Sequence, residues 1–547
     1  MTFPRIDLNR FLLKLLHREH GLRAVDEETR NAEMPAKAAE AMIDAALRNL
    51  GGACSIPIGT IDSGKTLSVD SSTLVASGLV VGATGAGKSR FLIGLVLELL
   101  ERLGDLSRPG GSGVEIELVD PKYETYDLLR LALAALWLKT DAWKRDELAS
   151  SIRIIDWARD WITPSAPFER IGTDVSDAYL ARLRADVVVQ ASPQSYTDAM
   201  RHGYFMLGRL LIEKQFPMNL RFTTKLFRDE SFRKRIASGI ADPDVREYFL
   251  DLDRNLPKQT SEGLLRRLQE DFSFPEIRYS EGIPPKALRK LLPKDVPSIV
   301  IGNYSSRMSL PQSKAIERAN HRIVDVLLKA PRRNPRRPGL LLLEESPVLL
   351  SRSSELIEPL TTATRTLRSV GMGIVHLAQD FSNALPADLV RTLVLNARWI
   401  AMFRVREDAE LIYPHVLSTD DQSRAMPEAV RRRAFAKTME GLPQRRFYFH
   451  AKGYPALPAS SLTVQDFARS AGVSSEDELR EIFNREIASR WVIPSSLAAR
   501  LIAEWEAEVI DRAEVPPSAP GSGSKRNPHR TLADLLRDLG KDKESPE

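Results

Sequence analysis

Among 547 residues there is one cysteine, Cys54. That excludes a disulfide framework and any multi-cysteine metal site within one chain. A lone Cys54 is expected to be a small buried apolar residue. No apolar run approaches the roughly 18–20 residues that a membrane span needs. Met1 to Arg18 mixes Arg, Asp and Lys into its apolar pattern, unlike a signal peptide. A cytoplasmic chain is expected. Internal repeats, zinc-finger spacing and RNA-binding signatures are all missing. An excess of one charge sign is nearly missing too: 78 Lys and Arg against 73 Asp and Glu leave +5, a slight lean toward polyanions. The 43% apolar and 28% charged residues match a soluble globular chain, long enough for two to four domains.

What is present is a phosphate-binding loop. Gly82-Ala83-Thr84-Gly85-Ala86-Gly87-Lys88-Ser89 fits G-x-x-x-x-G-K-[ST]. Leu79-Val80-Val81 supplies an apolar strand before it, and Phe91 to Val96 opens a helix after it. Glycines let backbone N–H groups turn toward phosphate oxygens, and the helix N-terminus favours anions. Lys88 is expected to reach the β- and γ-phosphates of ATP, and the Ser89 hydroxyl to hold Mg²⁺.

Leu340 to Leu343 followed by Glu344-Glu345 reads as a buried strand ending in two carboxylates, a Walker B pattern. One carboxylate is needed beside Mg²⁺ and one to take a proton from the attacking water. Glu344 is assigned to the metal and Glu345 to the water. Gln379, ending the strand of His376-Leu377-Ala378, is placed to sense the γ-phosphate or position water. Arg365 and Arg368, three apart on one predicted helix face, are candidate fingers for a neighbouring subunit's nucleotide. Arg332, Arg333, Arg336 and Arg337 form the densest positive loop and are candidate contacts to nucleic-acid phosphates.

Other strands are expected at Ile56 to Val75 (a hairpin turning at Asp62 to Lys65), Val114 to Val119, Ile152 to Trp157, Val296 to Asn303, Gly373 to Ala378 and Trp399 to Phe403, with a helix over Gln312 to Lys329. About 250 residues separate Lys88 from Glu344, far more than the intervening strands and crossovers require. A helical insertion on the sheet's C-terminal edge is therefore expected. It shows no motif of a small-molecule substrate pocket.

The P-loop, the strand ending Asp120-Pro121-Lys122, the Glu344-Glu345 pair, Leu367 to Gly373, the Gln379 strand end and Asn396-Ala397-Arg398 with Phe403-Arg404 occur in one order. Together they resemble the HerA/FtsK superfamily of DNA-pumping ATPases. The double glutamate is similar to HerA. Asp120-Pro121-Lys122-Tyr123-Glu124-Thr125 and the helical insertion are more similar to the coupling proteins of conjugative type IV secretion. The chain departs from both, with neither N-terminal membrane helices nor room for an N-terminal β-barrel. The resemblance implies a hexameric ring threading duplex DNA without sequence specificity, with the arginine finger donated in trans. The fold expected is α/β: a RecA-like P-loop core with a large all-helical insertion and helical terminal extensions.

The segments expected are 1–50 (helical), 51–130 (first part of the core), 131–295 (insertion), 296–460 (second part of the core), 461–512 (helices) and 513–547 (linker and short tail helix). A DNA translocase or remodelling motor is the first expectation. The second is a regulatory or defence scaffold that recruits a nuclease, secretion or defence partner through residues 531–540.

Overall fold

The structure is a computed structural model that describes residues 44–52, 54–103, 114–156, 161–165, 167–168, 175–191, 196–292, 299–305, 310–330, 337–350, 360, 362, 367–405, 408–409, 412–413, 428–454, 456–462 and 466–511. The chain forms two compact units. The first comprises Met1–Leu148, Ser298–Ile301 and Ala330–Phe483; the second comprises Ala149–Pro297, Gly302–Lys329 and Asn484–Glu547. In chain order the described strands are β1 (Ser55–Thr60), β2 (Thr66–Asp70), β3 (Gly78–Val81), β4 (Glu115–Asp120), β5 (Ile152–Ile155), β6 (Trp161–Ile162), β7 (Ile299–Asn303), β8 (Gly339–Leu343), β9 (Met372–Ala378), β10 (Trp399–Met402), β11 (Arg446–Ala451), β12 (Leu457–Ser461) and β13 (Ile493–Pro494).

In the first unit the strands follow the order β2-β1-β12-β11-β10-β3-β9-β8-β4-β7. From β10 to β4 the pairing is parallel. From β10 outward through β11, β12, β1 and β2 it is antiparallel. Parallel strands are covered on both faces and so carry continuous apolar runs. Leu340, Leu341, Leu342 and Leu343 are each at most 1% exposed, and burying each such side chain is worth roughly 1.5–3 kcal/mol.

Register decides what meets at the C-terminal edge. Val81 lies opposite Ala378, and Leu343 opposite both His376 and Val119. The residues that follow β3, β4, β8 and β9 therefore emerge side by side.

Helix α1 (Lys88–Leu103) buries Phe91, Leu92, Leu95, Val96, Leu99 and Leu100, a stripe at helical spacing. Phe91 packs against Phe403 and Phe447 at ring-centroid separations of 5.6 and 5.0 Å. Helix α2 (Glu124–Lys139) places Glu124 and Asp127 in its first turn and Lys139 in its last, as the helix dipole favours. Arg480, on the Glu476–Ile482 helix, bonds Asp127 at 2.7 Å and ties that segment to α2. Cys54 is half-buried, and its N–H donates to Asp70 Oδ2.

The second unit is helical apart from β5, β6 and β13. Its capping residues are visible in the sequence: Thr197, Asn219, Asp229 and Asp242 each accept a hydrogen bond from the first turn of the following helix. Such a cap contributes about 1 kcal/mol. The core stacks Phe216, Phe222, Phe232 and Trp505 edge to face. Asn219 donates to Glu506 at 2.8 Å, closing the C-terminal Ser495–Glu506 helix onto this core. The Gln312–Lys329 helix buries an ionic network within the unit. Lys314 meets Glu317 at 2.9 Å, and Arg318 meets Glu281 at 2.9 Å and Glu317 at 3.1 Å. No helix among the described residues is long and apolar enough to cross a membrane.

Candidate nucleotide-binding site

The P-loop is pinned by backbone bonds from two neighbouring strands. The Gly82 N–H donates to Ala378 O at 3.2 Å, and the Ala83 N–H to Arg404 O at 2.7 Å. Beyond the loop, the Arg445 N–H donates to Ala86 O at 2.9 Å. Gly85 (φ 72°) and Gly87 (φ 112°) occupy left-handed conformations that glycine adopts without strain. Gly82 is required for a different reason: a Cβ there would lie 2.5 Å from Phe403 Cβ. No acidic residue stands in the first turn of α1, so nothing there opposes an anion at the helix N-terminus. Ser89 is half-buried on that turn.

Lys88 is 6% exposed. Its ammonium donates to two carbonyls of its own loop, Gly82 O and, at 3.2 Å, Ala83 O. Burial lowers its pKa, while the charges of Glu344 and Glu345 pull the other way. A buried cation held by loop carbonyls fits a group whose stronger partners are phosphate oxygens.

Glu344 follows β8 with its N–H bonded to Val119 O at 3.0 Å. Its side chain is buried, and Thr125 Oγ1 donates to its Oε2 at 3.0 Å. Burial, reinforced by the neighbouring Asp120, pushes its pKa up to about 8. Asp120 is fully buried and also raised by burial. Its Oδ1 accepts from the N–H groups of Lys122 (2.7 Å) and Tyr123 (3.1 Å), and its Oδ2 from that of Tyr126 (2.8 Å). Those bonds fold the segment after β4 into a tight turn, with Tyr123 left-handed at φ 79°. The turn aims Thr125 at Glu344 and Lys122 at Glu345. Glu345 is itself left-handed at φ 46°, and its Oε2 pairs with Lys122 Nζ at 3.0 Å. Lys88, the residue before Ser89, is within electrostatic reach of both Glu344 and Glu345, and carboxylate and hydroxyl oxygens are the ligands that a hard divalent cation prefers.

Gln379 lies half-buried directly after β9, on the strand between the P-loop strand and β8. One sheet edge thus brings together Lys88, Glu344, Glu345 and Gln379. Arg368 sits on the short 3₁₀ turn Leu367–Val370. Arg337 leads into β8 with its guanidinium 3.8 Å from Glu115 and only 15% of its side chain exposed. Arg332, Arg333, Arg336, Arg365 and residues 531–540 lie outside the described residues. The sequence marks Asp120, Lys122 and Thr125 only as parts of a motif segment and gives them no role in the site, because their partners are distant in sequence; Arg445 it does not mark at all.

This sheet order and this edge define a RecA-like P-loop NTPase core with a helical insertion and helical flanks. No protein-family model matches the chain, and no characterised relative matches it either. Solved structures do align. The bacterial conjugative coupling protein TrwBΔN70, in an unbound form, is 17% identical over 76% of this chain and 91% of its own, with a TM-score of 0.47. VirB4 of Thermoanaerobacter pseudethanolicus is 13% identical over 76% of this chain and 99% of its own, with a TM-score of 0.49. The cytoplasmic domain of the type VII secretion ATPase EccC of Thermomonospora curvata is 15% identical, covering 80% of this chain but 31% of its own, with a TM-score of 0.30. At these identities and TM-scores the alignments carry no argument, and the fold and functional readings rest on the chain's own residues.

Proposed function

We propose that this chain is a Mg²⁺-dependent ATP hydrolase working as a ring-forming motor on duplex DNA. The observation that carries the hydrolase reading is the meeting of Lys88, Glu344, Glu345 and Gln379 at one strand edge beside a glycine loop. Lys88 leaves the Gly82 and Ala83 carbonyls to bind the β- and γ-phosphates. Ser89 and Glu344 would hold Mg²⁺, which when bound neutralises phosphate charge. Glu345 accepts a proton from the attacking water, and Gln379 orients that water. Lys122 Nζ lies 3.0 Å from Glu345 Oε2, so it positions the carboxylate and, while the pair holds, lowers its basicity toward the water.

The motor part of the reading is supported by the order of the superfamily motifs in the sequence. In it, Arg368 completes a neighbouring subunit's site within a hexamer, and Arg332, Arg333, Arg336 and Arg337 contribute non-specific phosphate contacts. The test is ATP turnover with and without long linear duplex DNA over a range of salt. A motor shows stimulation that falls steeply as salt rises, because phosphate contacts release counterions. Turnover indifferent to DNA but raised by a partner protein would replace the motor with the scaffold.

A further inference from the structure

Four non-glycine residues with left-handed backbone occur among the described residues: Tyr123, Gln215, Glu345 and Arg445. Gln215 caps a helix of the second unit, a place where that conformation is common. The other three stand around the nucleotide site. Tyr123 and Glu345 shape the turns after β4 and β8. Arg445, at φ 67°, stands just before β11, and a bulky side chain in that conformation is uncommon.

Two backbone bonds impose that conformation. The Arg445 N–H donates to Ala86 O of the P-loop at 2.9 Å, and the Arg445 carbonyl accepts from the Ser461 N–H at the end of β12 at 2.8 Å. The residue is thus held between the loop and the sheet. Strained backbone persists where its surroundings over-determine it, and such positions cluster at ligand sites. Glycine would adopt the same conformation without strain, so the two backbone bonds alone do not require an arginine.

The side chain starts along the P-loop. A Cβ at Gly87 would lie 3.3 Å from Arg445 Cα and 3.4 Å from Arg445 Cγ, so the stem rests on the residue that precedes Lys88. Arg445 is exposed, and among the described residues its guanidinium makes no hydrogen bond or ion pair. Its neighbour Arg446 differs, pairing with Asp62. Strand order separates Arg445 from the carboxylates. Glu344 and Glu345 follow β8, on one side of the P-loop strand β3; Arg445 precedes β11, on the other side. The γ-phosphate belongs with the carboxylates, which leaves the other end of the phosphate chain to the side of Arg445.

We propose that Arg445 is a nucleotide-binding residue whose guanidinium contacts the α-phosphate of the bound nucleoside triphosphate. Guanidinium N–H groups bond phosphate oxygens in pairs, and the strained backbone sets the stem against the loop before the ligand arrives. The inference rests on the hydrolase reading for the presence of a nucleotide. It assigns Arg445 to affinity and leaves bond cleavage with Glu345. ATP and ADP share the contact, because both carry the α-phosphate.

The test is equilibrium binding of Mg²⁺-ATP, Mg²⁺-ADP and Mg²⁺-GDP, with steady-state ATP turnover, by the full chain as wild type, Arg445→Gly and Arg445→Gln. Arg445→Gly keeps both backbone bonds and relieves the left-handed strain, so it should melt no lower than wild type. It should nevertheless bind ATP and ADP about tenfold or more weakly, by a similar factor for each. KM should rise and kcat at saturating ATP should not fall. Arg445→Gln, which keeps a long polar side chain without the charge, should show the same loss whatever the melting temperature of Arg445→Gly. GDP should lose the same factor as ADP, since the contact ignores the base. Unchanged affinity in both variants would overturn the proposal. So would a loss confined to ATP, which would put the guanidinium at the γ-phosphate, a loss that differs between ADP and GDP, or a fall in kcat at unchanged KM. A wild type that binds no nucleotide would overturn the hydrolase reading and this proposal with it; normal wild-type binding with unaffected variants would overturn this proposal alone.

Discussion

Replacing Glu344 by glutamine should stabilise the nucleotide-free protein and abolish its use of Mg²⁺. The carboxyl is buried between Asp120 and Lys88, and burial raises its pKa from 4.5 to about 8. A carboxyl raised in the folded state contributes its full stability below the unfolded value. That contribution is lost as pH rises through the folded value. Between pH 4.5 and 8 the wild type should therefore weaken progressively. Linkage puts the loss at about 3 kcal/mol at pH 7 as an upper bound. The amide has no charge to desolvate and can still accept from Thr125 Oγ1. Calorimetric melting across pH 5 to 8.5 reads the difference, expected to be several degrees at the alkaline end. Asp120 is raised by burial as well, so the variant keeps some slope and the gap between the two curves isolates Glu344. Added Mg²⁺ should raise the melting point of wild type at pH 8 and leave the variant unmoved. Parallel curves with no widening gap would refute the claim that Glu344 is a desolvated carboxyl awaiting a cation.

Lys122→Ala should free the Glu345 carboxylate and raise basal ATP turnover two- to fivefold without changing nucleotide affinity; a fall in turnover would mean that Lys122 assists the reaction. Gly82→Ala should destabilise the core by about 1–3 kcal/mol, because its Cβ would meet Phe403 Cβ at 2.5 Å; an unchanged melting point would show that the loop has slack. His376 is fully buried in β9 and burial lowers its pKa to about 4. Unfolding exposes a histidine that takes up a proton near 6.5, so the fold loses up to about 3 kcal/mol as pH falls from 6.5 to 4. His376→Leu should flatten that limb of the melting curve.

The parts of this site that were legible in the sequence are those whose signals are local. Gly82 to Ser89 carries its motif in consecutive residues, and Leu340 to Glu345 announces a buried strand by four leucines and its end by two glutamates. The Gln312–Lys329 helix was legible from its spacing alone. What remained hidden depends on distant partners. Thr125 meets Glu344 across 219 positions of chain, and Lys122 meets Glu345 over a similar span. Asp120 was legible as part of a motif at a strand end, but not as the acceptor on which three backbone N–H groups converge. Strands β11 and β12 were not singled out, although Phe447 and Phe449 alternate with polar residues in β11.

The central claim is that Lys88 and Glu345 form one hydrolytic site, with binding and bond cleavage divided between them. Equilibrium binding and turnover of Mg²⁺-ATP by wild type, Lys88→Ala and Glu345→Gln test that claim directly. The account predicts near-normal binding with turnover reduced by roughly 10²–10⁴ in Glu345→Gln, the range for loss of a general base, and loss of both in Lys88→Ala. Turnover at the wild-type rate in either variant would contradict it.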